Sequence, residues 1–180
     1  MISKELIQSC SCTFSNGVTV VNTTPHPLNF QSPNGEKIIV PSSVPVGEKT
    51  GPLVINATAK EVPVTDYIVD TTFEPNNEGT DIIYQIQNAG LSGKVMIVGS
   101  MIAANAYPEV VGMCPAPGFE RVPPADKLMS CEKFTMGAAK MQIEKETAID
   151  EDLSIDVSAD ENRVGDNEVN KKACKSEIQR

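Results

Sequence analysis

Residues 20–30 read VVNTTPHPLNF, and this stretch decides how two early strands of the chain are joined. Its β-branched beginning predicts one strand, and its apolar end predicts the next. Pro25 and Pro27 have fixed φ angles, and each pushes the residue before it, Thr24 or His26, towards an extended conformation. The sequence therefore predicts a stiff crossing from which His26, the sole histidine of the chain, projects.

The middle of the chain carries further patterns that are typical of strands. Asn34 and Gly35 lie between the apolar runs 28–31 and 37–40, and this arrangement predicts a β-hairpin. Residues 93–100, GKVMIVGS, form a near-continuous apolar run, which predicts a strand buried on both faces. Further strands are predicted at 52–59, 64–70 and 81–87.

Two short helices are predicted from capping residues. Ser3 is a suitable N-cap for one or two helical turns within residues 3–8. Ser100 is predicted to cap a helix over residues 101–106, which Pro108 would then end.

The segment after Pro124 is open to two interpretations. Apolar residues between 128 and 141 are spaced three or four apart, as on one face of a helix. Residues 127–135 also suit an edge strand. We favour a helix that begins at about Lys133.

The balance of these elements predicts an α+β fold: a compact β-rich domain with hairpins, a mixed or antiparallel sheet, one or two short helices and extended terminal arms. Residues 1–16 are predicted as an N-terminal arm, 17–143 as a single globular domain and 144–180 as an acidic tail. The tail has no aromatic residue and no proline, and its high charge predicts disorder in isolation.

Composition excludes several classes of function. A net charge of −9 argues against a nucleic-acid partner, because the phosphate backbone requires a basic face. The longest apolar-rich run is too short to span a bilayer. Since no segment is typical of a secretory signal, we expect the protein to remain inside a cell, with its five cysteines reduced.

Motifs for metal or nucleophilic chemistry are weak. Cys10, Cys12, Cys114 and Cys131 together with His26 contain soft ligands, but their spacing is poor for zinc, and we expect no metal site. No aspartate or second histidine lies near His26 in sequence, so structure or binding is favoured over catalysis.

Ser100 and the glycine-rich segments do not form a known catalytic motif. Ser100 lies where a strand is predicted to turn into a helix, but the flanking glycines of a nucleophile elbow are absent, and a capping role is favoured. The glycine segments lack the spacing of a phosphate-binding loop. We therefore expect no cofactor and no catalytic residue.

The motif of Asn22, Thr24, Pro25 and His26 resembles the Asn-x-Thr-Pro-His motif of a family of small proteins encoded by phages and other large DNA viruses. The resemblance extends to Pro41-Ser42 and to residues 98–106 and 116–122, whereas the acidic tail and the N-terminal cysteines depart from it. It implies a viral accessory or virion protein and supplies no mechanism.

Two functional hypotheses follow. The first is a non-enzymatic minor capsid or virion-associated protein, located in the virion and in the host cytoplasm during assembly. It would bind other viral structural proteins through its core and terminal arms. The alternative is a protein that binds or sequesters a nucleotide-like small molecule, or an enzyme that uses His26. For either hypothesis the candidate contacts with a ligand or partner are Thr24, His26, Ser100 and Arg121.

Overall fold

The computed structural model describes residues 1–123 and 126–141 of the chain, so the acidic tail predicted at 144–180 lies outside the described residues. The described part contains strands and short helices in the order β1 (Ser11–Thr13), β2 (Val18–Asn22), β3 (Leu28–Gln31), β4 (Lys37–Val40), β5 (Thr58–Thr65), β6 (Ile68–Glu74), β7 (Lys94–Val98), β8 (Val110–Pro115) and β9 (Met129–Met136), with α1 (Lys4–Ser9) before β1, α2 (Asn77–Gln87) before β7 and α3 (Met101–Ala106) before β8.

Seven of the strands form one mixed sheet in the order β1-β2-β7-β8-β9-β3-β4. Strands β2, β7 and β8 are parallel to each other, and β9 is parallel to β3. The pairs β1–β2, β8–β9 and β3–β4 are antiparallel. The α+β, β-rich fold with a mixed sheet and short helices is thus confirmed, including the hairpin predicted around Asn34 and Gly35.

Both faces of the parallel strands are buried. Along β2, Val21 contacts an apolar cluster that includes the inner faces of α1, α2 and α3, whereas Val20 contacts a second cluster enclosed by β3, β4 and β9. Ile97 and Val98 divide in the same way on β7. The strand predicted within 93–100 to be buried on both faces is therefore confirmed.

The sheet is curled into a nearly closed barrel. Phe30 is completely buried inside it, with its ring centroid 5.1 Å from that of Phe14 and 6.4 Å from that of Phe134. At the open seam, the side-chain amide of Asn22 donates hydrogen bonds to the carbonyls of Val40 (3.3 Å) and Pro41 (3.0 Å). The end of β2 is thereby joined to the end of β4, across the gap between the two sides of the sheet.

The predicted strand at 81–87 is wrong, because these residues belong to α2. Ile82, Ile83 and Ile86 recur with the spacing of one helix face, and all three are buried against the sheet. The turn-like residues before them contain the start signal of the helix: the Asn76 side chain accepts a hydrogen bond from the Gly79 N–H at 2.8 Å.

The helix favoured from about Lys133 is also wrong, because residues 129–136 form β9 in the interior of the sheet. The pairing of β8 with β9 is irregular between Met113 and Pro115. This irregularity interrupts the strict alternation of a regular strand, and it allows Cys131 and Phe134 to contact the same interior cluster although they are three residues apart. Helical residues begin only at Ala138.

Residues 52–57, predicted as part of a strand, have no regular strand structure, although Leu53, Val54 and Ile55 are buried. The strand predicted at 64–70 contains a turn at Asp66 and Tyr67, between β5 and β6.

Residues 1–16, expected to form an N-terminal arm, contribute α1 and β1 to the domain. Ser3 caps α1 as predicted, by accepting a hydrogen bond from the Leu6 N–H at 3.2 Å. Ile7 and Cys10 are buried, and β1 is paired with β2.

Candidate functional site

The strand directions bring three of the four candidate residues, Thr24, His26 and Ser100, to one end of the sheet. Strands β2, β7 and β8 are parallel, so the segments that follow them begin at the same end. The β2–β3 segment contains Thr24 and His26, Ser100 follows β7, and Arg121 lies between β8 and β9. Ligands of sheets with parallel strands commonly bind at the carboxyl ends of those strands.

The Asn-x-Thr-Pro-His motif is a network of hydrogen bonds around one buried amide. Asn22 is fully buried, and its side-chain oxygen accepts a hydrogen bond from the backbone N–H of Thr24 at 2.8 Å. The Thr24 hydroxyl, which has one proton to donate, lies between this oxygen (2.8 Å) and the His26 carbonyl. The Asn22 amide nitrogen donates to the backbone carbonyl of His26 at 2.8 Å. The side chain of Asn22 thus fixes the tight turn that Pro25 and Pro27 stiffen.

His26 contributes to this turn through its backbone. The His26 carbonyl accepts from Asn22 and lies 2.9 Å from the Thr24 hydroxyl, which is positioned to donate to it. The imidazole belongs to an exposed residue at the surface of the barrel end. Because the bonds to His26 are made by its main chain, the turn itself does not require an imidazole.

Other buried polar residues support the same end of the sheet, and the sequence pattern alone did not single them out. Thr23 donates from both its backbone N–H and its hydroxyl to the Val98 carbonyl, at 2.9 Å each, and this joins the ends of β2 and β7. The Ser42 hydroxyl donates to the Thr24 carbonyl at 2.9 Å. The Leu53 N–H donates to the Ser43 hydroxyl at 3.1 Å. The sequence signal for these bonds was the pair of hydroxyl residues that follows β2 (Thr23 and Thr24) and the pair that follows β4 (Ser42 and Ser43).

Ser100 has the capping role that its position predicts. Its hydroxyl accepts a hydrogen bond from the Ala103 N–H at 3.2 Å, at the start of α3. Gly99 before it lies so close to Val110 that an added Cβ would contact the valine side chain at 2.6 Å. The glycine is therefore required by packing, and the strand-to-helix turn has the geometry of a cap.

Arg121 lies exposed in the segment between β8 and β9. Within residues 1–123 and 126–141, no hydrogen bond or ion pair joins Arg121 to Thr24, His26 or Ser100. Four concavities with volumes of about 330 to 490 Å³ lie elsewhere on the described surface, and none of the four is lined by these candidates. None of these four concavities therefore joins the candidate residues into one site.

The cysteines of the described residues are free thiols. Cys10 and Cys131 are buried, and Cys12 and Cys114 are half-buried. Burial raises the pKa of the Cys10, Cys12 and Cys131 thiols. Among the residues the structure describes, no three His, Cys, Asp or Glu side chains are grouped so that they could hold a metal ion.

The β5–β6 pair exposes apolar side chains to solvent, and we call it the exposed hairpin (residues 58–74). All eight residues of β5 are exposed, and so are six of the seven residues of β6. Tyr67 at the turn is 97% exposed, Val64 is 62% exposed and Ile68 is 58% exposed. Phe73, near the base, is half-buried and packs on the main core. Sequence reasoning missed this hairpin because Asp66 and Tyr67 were assigned to the interior of a strand.

No protein-family model, no curated protein and no solved structure that was compared with this chain matches it. Within the described residues, none of the helices has both the length and the apolar character needed to cross a membrane.

Proposed function

We propose that this chain is a non-enzymatic, virion-associated protein, such as a minor capsid component, whose function is to bind neighbouring proteins. The observation that supports binding is the exposed hairpin. A two-stranded hairpin is marginally stable in water by itself, and contiguous exposed apolar side chains commonly mark a protein-interaction surface. Tyr67, Val64 and Ile68 provide such side chains at and beside its turn.

The viral assignment is supported by the sequence motif of Asn22, Thr24, Pro25 and His26. Its hydrogen bonds give the motif a physical purpose, because they close the barrel between β2 and β4. A structural role of this motif agrees with a protein that serves as a stable scaffold and catalyses no reaction. The location expected for this function is the virion, with the host cytoplasm during assembly.

The binding surface in this proposal differs from the one expected from sequence. Residues 1–16 pack on the domain through Ile7 and Cys10, so they are less suited to bind a neighbour as a free arm. The exposed hairpin takes that role in the proposal. The acidic tail at 144–180, which lies outside the described residues, stays a second candidate contact with basic surfaces of neighbouring proteins.

The test is copurification with virions. Wild-type protein is expected in stoichiometric amount in purified particles. The double variant Val64→Ser with Tyr67→Ser should lose this association because it removes apolar contact area from the hairpin turn. Tyr84→Ser is the matched control, since Tyr84 is an exposed tyrosine (66%) on α2, outside the hairpin. Absence of the wild-type protein from particles would refute the proposal.

A second candidate function is favoured by the position of Thr24, His26 and Ser100 at one end of the sheet. A nucleotide-like molecule bound there could contact the exposed imidazole and the guanidinium. Isothermal titration calorimetry with adenosine monophosphate tests this alternative. Heat of binding that is lost in both His26→Ala and Arg121→Ala would favour it, and turnover of the nucleotide that disappears in His26→Ala would make the protein an enzyme.

A further inference from the structure

The free strand edges of the described residues differ in how well they are protected against pairing. On the main sheet, β1 has three residues, and β4 has four and begins with Lys37. On the exposed hairpin, β5 contains Lys60 and also Pro63, which lacks a backbone N–H. Short length, lysine and proline are the usual devices that protect edges. Strand β6, with seven residues, has neither lysine nor proline, and α3 contacts it near its base, where Asn105 and residues 71–74 line one cavity.

We infer that the β6 edge pairs antiparallel with the β6 edge of a second copy of this chain, so that two exposed hairpins form one four-stranded sheet. This inference rests on the proposed protein-binding function and names the partner. Most soluble homo-oligomers have such closed two-fold symmetry. The pairing would supply backbone partners to the free edge of β6 and cover part of its apolar surface.

The sequence of β6 is compatible with a pairing in which the β6 strands of the two copies overlap over their full length. A two-fold axis perpendicular to the sheet lies midway between one residue and the same residue of the second copy. For the two copies of Ile68–Glu74 to overlap fully, this residue must be the central one, Thr71. This register places Asp70 opposite Thr72 and Val69 opposite Phe73. No like charges are directly opposed.

The neighbouring registers are disfavoured by charge. Moving the axis to Asp70 would oppose two copies of that carboxylate. Moving it to Thr72 would oppose Asp70 to Glu74. Directly opposed like charges destabilise a strand pair, so charge favours the fully overlapping register centred on Thr71 over the two registers next to it.

The same register provides a position for the most exposed side chain of the hairpin. It brings the partner's Tyr67 level with Pro75, at the base of β6. A concavity of about 360 Å³ lies there, lined by residues 71–74, Asn105 and Ala138. Tyrosine is enriched among the residues that anchor protein interfaces. Tyr67 of each copy would therefore fill the basal cavity of the other.

The experiment is sedimentation equilibrium of the full chain between about 1 and 200 μM, the range in which small interfaces associate. Wild type is expected to form dimers reversibly. Thr71→Lys and Thr71→Glu should each weaken dimerisation about two- to fivefold, because each opposes two like charges at the axis. An equimolar mixture of the two variants should restore dimers, since lysine then faces glutamate.

Thr80→Lys is the matched control, since it adds the same charge at an exposed position of α2 outside the hairpin and should dimerise like wild type. Tyr67→Ala should weaken dimerisation independently of the charge changes. A wild-type protein that is monomeric at every concentration overturns the inference, and so does a dimer that both Thr71 variants leave intact. If wild type is monomeric but the double variant Val64→Ser with Tyr67→Ser still loses virion association, self-pairing is refuted and the proposed function is not.

Discussion

Among the described residues, the Asn22 side chain lies within hydrogen-bond distance of the largest number of main-chain groups. Its side-chain oxygen accepts from Thr24, and its amide nitrogen, which carries two protons, lies within hydrogen-bond distance of the carbonyl oxygens of His26, Val40 and Pro41. The described residues contain no buried side-chain nitrogen or oxygen without a partner, so this network is complete. A buried amide with all its bonds made both stabilises a turn and specifies one geometry for it.

Asn22→Ala should lower the free energy of unfolding by about 2 to 4 kcal/mol, because it leaves buried main-chain groups without partners. Urea unfolding measures this loss. His26→Ala is the matched comparison within the same motif, and it should change stability by no more than about 0.5 kcal/mol, since the turn uses the backbone of His26. Equal losses in both variants would show that the imidazole is part of the fold.

The thiols should react in two classes. Burial raises the pKa of Cys10 and Cys131, so both hold little reactive thiolate at pH 8 and should be modified only after denaturation. Cys174, outside the described residues, is expected to react quickly. Thiol titration with and without denaturant separates the classes, and immediate modification of all five cysteines in the native protein would contradict this prediction.

The same shifts predict the direction of a pH effect on stability. A thiol whose pKa is higher in the folded state contributes stability that is fully present below the unfolded pKa of about 8.5. That contribution is lost as the pH rises through the folded pKa. The urea midpoint should therefore fall between neutral and alkaline pH, and Cys131→Ala should reduce this fall. A fall of unchanged size in that variant would assign the effect to other groups.

At the scale of elements, α2 shows how packing selects among local preferences. Its first turn contains Gly79, which is unfavourable within a helix, yet an added Cβ there would collide with the Tyr107 side chain. The Tyr107 hydroxyl accepts from the Asn76 N–H at 2.8 Å and donates to the Asn56 carbonyl at 3.0 Å. The glycine therefore makes room for a tyrosine that joins the start of α2 to the end of α3.

Gly79→Ala should destabilise the protein by about 1 to 3 kcal/mol, although alanine is the better helix former, because the new methyl group displaces Tyr107. Thermal unfolding followed by circular dichroism measures the change. Thr80→Ala, at the next and exposed position of the same helix, is the control and should be neutral or slightly stabilising. A stabilised Gly79→Ala variant would mean that Tyr107 can move without cost.

At the scale of the whole molecule, two apolar clusters share the parallel strands, and the curled sheet separates them. This arrangement uses Val, Ile, Leu and four phenylalanine rings, as expected for a chain with no tryptophan. The described domain has buried residues from Ile7 to Cys131, and we therefore expect it to fold without the acidic tail.

Truncation after residue 143 should leave the melting transition nearly unchanged. The residues removed have no aromatic side chain and little clustered apolar surface with which to stabilise the domain. Differential scanning calorimetry of the truncated and full chains makes the comparison. A decrease of several degrees would show that the tail packs on the domain.

The sequence by itself determined the features that rest on neighbouring residues: the strand at 18–22, the hairpin at Asn34 and Gly35, the Ser3 and Ser100 caps and the two-sided burial of β7. These follow from local conformational preference and side-chain period, which act over a few residues. Only the tertiary structure decided that residues 129–136 form an interior strand, because an irregular strand pair overrides the helix-like spacing of the apolar residues. The α2 helix was indicated locally by the Asn76 cap and the spacing of Ile82 and Ile86, and the strand predicted at 81–87 overlooked both signals. The tertiary structure also decided that Asn22 closes the barrel and that Thr24, His26 and Ser100 share one end, since strand direction and order are properties of long-range pairing.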